Sequence, residues 1–166
     1  MDAVAGNPFA VLTAVVAPAI LTNACSVLAL GTSNRLARVV DRTRVVAKEL
    51  SGIEPGAPDY AFWATQLERA QVRAQLLVKA LRVFYASLGL FATAALLSLV
   101  GAIVTSYGSR VWFAVTAALA LLVGTIAVVG LAVGCGLMVH ETRLAVRNLA
   151  EEAKAQGSSR RVGFHV

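Results

Sequence analysis

Residues 111–138 read VWFAVTAALALLVGTIAVVGLAVGCGLM, 28 positions without a single Asp, Glu, Lys or Arg. The hydrocarbon core of a bilayer is about 30 Å thick, and a helix needs roughly 20 apolar residues to cross it. Two further runs, residues 9–33 and 83–107, are equally free of these four residues, and every run has at least 25 positions. Three membrane spans follow. The chain is 58% hydrophobic and 14% charged, with a mean hydropathy of +0.73. A soluble domain is nearer 45–50% apolar and about 25% charged. The apolar excess here is gathered in blocks, so it marks spans rather than one diffuse core.

The cations give the orientation. Arg35, Arg38, Arg42, Arg44 and Lys48 follow the first run. Arg69, Arg73, Lys79 and Arg82 precede the second, and Arg143, Arg147, Lys154, Arg160 and Arg161 follow the third. Only Arg110 stands in the short Tyr107–Arg110 connection. Basic residues are retained on the cytoplasmic side. The pattern therefore predicts an N-terminus outside, a C-terminus inside and a tight outer hairpin, with Tyr107 and Trp112 at headgroup level. Asp2 is the only charge before the first run, so the basic leader of a signal peptide is missing and the run is read as a span.

The segments between the spans are polar but patterned. Trp63, Leu67, Ala70, Ala74, Leu77 and Leu81 recur at alternating spacings of four and three, the seam of a packed helix. Leu36, Val39, Val40, Val46 and Leu50 form a looser stripe, and Val139, Thr142, Val146, Leu149 and Ala153 a third that ends at Gly157. Between the first two, residues 51–60 hold Gly52, Pro55, Gly56 and Pro58, which interrupt any helix. The predicted fold is all-α: a three-span bundle whose helices run on, each about 60–68 Å long at 1.5 Å per residue, into a cytoplasmic helical stalk. Residues 1–156 form a single membrane domain in this reading, with a cytoplasmic hairpin over 34–82, a cytoplasmic helix over 139–156 and a mobile tail over 157–166.

Span one is the most polar of the three. Ala19, Thr22, Ser26, Ala29 and Ser33 share one face, and Asn23 lies near mid-bilayer, where hydrocarbon offers its amide no partner. Small and hydroxyl residues in a span serve close helix packing, or else line a pore built from several copies. In the second case Arg35, Arg38 and Arg42 would ring the inner mouth and favour anions; otherwise they meet anionic lipid at the inner surface. Gly130 and Gly134 form a small-xxx-small motif that permits close helix contact. Glu141 is expected to pair with Arg82 or Arg35, and Asp41 with Arg38 or Arg44.

Chemistry-bearing motifs are scarce. Cys25 and Cys135 both fall within spans, where each serves as a small packing residue rather than half of a disulfide. His140 beside Glu141 has no further ligand at helical spacing, so no metal is expected. Phosphate loops, nucleophile elbows and dinucleotide fingerprints are missing, as are the intramembrane charges of an ion-coupled transporter. The net charge of +6 flanks spans and forms no basic-aromatic stripe, which argues against nucleic acid.

The run Pro18-Ala-Ile-Leu-Thr-Asn-Ala-Cys-Ser26, continuing through Thr32-Ser-Asn-Arg-Leu-Ala-Arg-Val-Val-Asp-Arg-Thr-Arg44, resembles the DUF2721 family of short bacterial membrane proteins. Arg143-Leu-Ala-Val-Arg147 echoes that family's basic stretch after its last helix. The resemblance covers most of the chain and implies a bacterial cytoplasmic membrane, with no catalytic residues to carry over. The expected function is a non-enzymatic, cofactor-free homo-oligomer, with an ion pathway lined by span one as its sharper form. The alternative is an accessory or scaffold subunit that docks on another membrane protein.

Overall fold

A computed structural model describes residues 8–105 and 110–162, with side chains for 16–104, 111–148 and Ala150. Three helices account for nearly all of it: α1 (Pro8–Ser51), α2 (Tyr60–Thr105) and α3 (Arg110–Val162). Each is long and apolar enough to cross a membrane, with mean hydropathies of 1.4, 2.2 and 2.5 over their most apolar stretches. The expected outer turn at Tyr107 falls outside the described residues, so α2 and α3 are described from Thr105 backwards and Arg110 onwards.

The break between α1 and α2 falls where the Pro/Gly cluster predicts it. The Gly52 and Ile53 amides donate to the Glu49 and Leu50 carbonyls, closing α1 with tightened final turns. The Ala57 amide then donates to the Glu54 carbonyl at 3.1 Å across Pro55 and Gly56. Gly56 has φ +118°, a conformation that side-chain-bearing residues rarely adopt.

The contacts divide the chain into two compact units. One comprises residues 1–34 and 80–134, the other 35–79 and 135–166. In the first, α1 turns Pro18, Thr22, Cys25, Ala29 and Thr32 inward, again at alternating four and three. Cys25, Phe91 and Ala127 form its buried core, with Leu21, Leu88, Leu90 and Leu131 packed around them. Outside that core the surface is apolar: Ile20, Leu30, Leu96 and Leu121 are all more than 60% exposed. On a water-facing protein so large an apolar surface would be an aggregation hazard; toward lipid it is the expected surface.

The second unit is packed by Leu36, Val39 and Val46 of α1 and by Trp63, Leu67, Ala70, Ala74 and Leu77 of α2, all half-buried or buried as their spacing predicts. The α3 stripe is corrected over its first three positions, and the side chains of Leu149 and Ala153 lie outside the described residues. Val139 and Val146 are 53% and 61% exposed, and Thr142 is exposed too. The packed positions are Met138, Glu141, Leu144, Ala145 and Asn148, about one position out of phase. A buried acid displaced the valines because its partner lies across the bundle, as described below. The helix also continues through Gly157 to Val162. A lone helical glycine costs only about 1 kcal/mol relative to alanine, and Ala155, Gln156 and Arg160 around it are good helix formers. Residues 163–166 of the expected tail lie outside the described residues.

Candidate functional site

Several hydroxyl groups of α1 are consumed locally. The Thr22 hydroxyl donates to the Pro18 carbonyl at 2.8 Å, Ser26 to Thr22 at 3.0 Å and Thr32 to Leu28 at 2.7 Å. Such back-bonding to the preceding turn satisfies a hydroxyl without a neighbouring helix. Asn23 cannot do the same for both donors of its amide. Its side chain is exposed and makes no hydrogen bond among the described residues.

The sequence-derived stripe of span one is thereby divided. Ala29 is buried and Thr22 and Ser33 are half-buried against their own bundle, whereas Ala19, Asn23 and Ser26 are exposed. These last three follow one another at spacings of four and three, so they share one outward flank of α1.

Gly130 and Gly134 make contacts within the chain. A Cβ at Gly130 would stand 2.5 Å from the Ser87 hydroxyl, and one at Gly134 would stand 2.5 Å from Cε1 of Phe84. Only glycine lets α3 approach α2 this closely. An apolar cavity of about 550 Å³ opens beside Pro18, Phe91, Gly101, Phe113 and Gly124 in the same unit.

The second unit holds the most polar feature. Glu141 is 3% exposed, and its Oε1 accepts hydrogen bonds from both Nε and Nη2 of Arg73, each at 2.9 Å. The sequence offered Arg82 or Arg35 as its partner; the geometry selects Arg73. Arg35 instead donates from Nη1 to the Thr142 hydroxyl at 3.3 Å, and that hydroxyl donates to the Met138 carbonyl at 2.9 Å. Asp41 pairs with Arg44 at 3.7 Å on the open surface, one of the two partners expected.

Around the buried pair lies a cavity of about 360 Å³. Arg35, Arg38 and Arg42 line it from α1, Arg73 from α2, and Glu141 and Thr142 from α3. Four arginines and one glutamate line it, an excess of three positive charges. Arg38 and Arg42 have no hydrogen-bond or ionic partner among the described residues. The three α1 arginines were visible in the sequence, but Arg73 was missed as a site residue. Its position three residues after Ala70 and beside Ala74, on the border of the α2 seam, was the available signal, since a cation that is half-buried there needs a counter-charge.

No curated protein and no solved structure matches the chain. The model of a family described as a protein of unknown function, DUF2721, matches residues 15–151. The span-one run and the basic stretches quoted above fall within that match, and the chain belongs to the DUF2721 family.

Proposed function

We propose that the chain is a non-enzymatic integral protein of the bacterial cytoplasmic membrane that assembles with copies of itself through the outward flank of α1. Its N-terminus faces outside, and the second unit forms a cytoplasmic stalk. The observation that carries this reading is Asn23, an exposed amide without a side-chain partner among the described residues, set in an apolar run. In hydrocarbon such a group gains by meeting its counterpart on a neighbouring helix, typically by about 0.6 kcal/mol and up to about 2. Ala19 and Ser26 on the same flank are small enough to let the backbones approach.

The same flank, repeated around an axis, would line an ion pathway. With the Ser26 hydroxyl committed to its own backbone, Asn23 supplies most of the polarity. Arg35, Arg38 and Arg42 line the cavity of their own unit, so this reading rests on Ala19, Asn23 and Ser26.

The test is Asn23→Leu, reconstituted in liposomes at several protein-to-lipid ratios and followed by Förster transfer between labelled copies. Association should weaken by about threefold and by up to about thirtyfold, and any ion flux through the wild type should fall with it. Association equal to the wild type would remove Asn23 as the contact. A partner retained at fixed stoichiometry in native membranes, with no self-association, would favour the accessory-subunit reading instead.

A further inference from the structure

We infer that the arginine-lined cavity of the second unit is a binding site for a phosphate-bearing anion. This goes beyond self-association and does not depend on it. Arg35, Arg38 and Arg42 are spaced by three and four residues, which stacks three like charges on one flank of α1. Like-charged helical neighbours at this spacing repel one another. Apart from Arg73, which Glu141 neutralises, no cation of the lining has an acidic partner among the described residues. An anion in the cavity relieves that repulsion and supplies what the fold omits.

Three features select the ligand class. Guanidinium groups match the oxygens of phosphate in forked geometry, where lysines would act only as point charges. All four cations lining the cavity are arginines. The volume of about 360 Å³ lies within the roughly 300–1,000 Å³ of small-ligand pockets, enough for a phosphate and part of what it carries. The buried Glu141–Arg73 pair fixes one wall, and the Thr142 hydroxyl orients Arg35. A soluble phosphate and the headgroup of an anionic phospholipid share this chemistry. Arg35 follows the apolar run 9–33 by only two positions, so both sources are tested.

The experiment uses the full-length protein in neutral detergent. One arm titrates inorganic phosphate against sodium chloride of equal ionic strength and reads thermal unfolding. The other adds phosphatidylglycerol or phosphatidylcholine and counts retained lipids by native mass spectrometry. The variant is Arg38→Gln with Arg42→Gln, which spares the Arg73–Glu141 pair. The control is Arg44→Gln with Lys48→Gln, which removes the same charge from exposed positions of the same helix outside the cavity.

Stabilisation by phosphate beyond chloride identifies a soluble ligand. Retention of phosphatidylglycerol over phosphatidylcholine identifies a lipid. Either supports the site if the cavity variant binds about tenfold or more weakly while the control changes less than about twofold. Equal losses in both variants mean diffuse surface charge and overturn it. So does a wild type that prefers neither phosphate to chloride nor the anionic lipid to the neutral one.

Discussion

Replacing Glu141 with Gln keeps the shape of the side chain and removes its charge. Both donors of Arg73 converge on one oxygen of a carboxyl that is only 3% exposed. Hydrogen bonds to charged groups contribute about 1.5–3 kcal/mol each and neutral ones about 0.5–1.5. The difference over two bonds is about 2–3 kcal/mol. Arg73 is 31% exposed at its side chain, so water recovers part of its share. Four arginines then line the cavity without a carboxylate, which adds repulsion. The expected loss is about 2 kcal/mol. Removing the exposed Arg44–Asp41 pair should cost no more than about 0.5. The assay is denaturant unfolding in detergent, read from the fluorescence of Trp63, one of the chain's two tryptophans, in a Trp112→Phe background. Trp63 belongs to the second unit and therefore reports on the unit that contains the pair. A cycle with Arg73→Met should give a coupling of at least about 1 kcal/mol. Refutation would be a Glu141→Gln protein within 0.5 kcal/mol of the wild type, or one no more affected than Arg44→Gln.

Other substitutions probe the glycine contacts, the turn after α1 and the orientation. Gly134→Ala places a Cβ where Phe84, itself 0% exposed, must retreat by close to an ångström. It should cost about 1–3 kcal/mol, whereas Gly136→Ala meets nothing within 4 Å and should be neutral or slightly stabilising in thermal unfolding. Gly56→Ala has open space around it, yet its φ of +118° should make it destabilising by about 1 kcal/mol in the same assay. Under the proposed orientation, Gly52→Cys should react with an impermeant maleimide in inside-out vesicles and not in intact cells. Labelling in intact cells would reverse the topology.

The three helices were legible because charge-free runs and Pro/Gly punctuation are coarse signals that neighbouring elements do not override. Trp63 through Leu77 packed as their spacing predicts because bulky apolar residues alternate there with polar ones. The phase of α1 was harder to read. Thr22, Cys25, Ser26 and Ala29 differ little in size and polarity, so their pattern hardly separates the packed flank from its neighbour. The partner of Glu141 was not legible either. Which arginine faces it depends on how α2 and α3 are offset along their axes, and side-chain spacing within one helix does not contain that offset. The first part of the α3 stripe was misplaced because apolar Val139 and Val146 concealed a packed flank that carries Glu141.

The proposed contact between copies of this chain is the flank bearing Asn23. Native mass spectrometry of the protein released from nanodiscs reads that contact as a mass. A defined homo-oligomer that Asn23→Leu shifts toward monomer is the expected result. A closed ring of four or more copies would bring three-four-spaced Ala19, Asn23 and Ser26 around one axis. A wild type that remains a clean monomer over the same concentrations would rule the contact out.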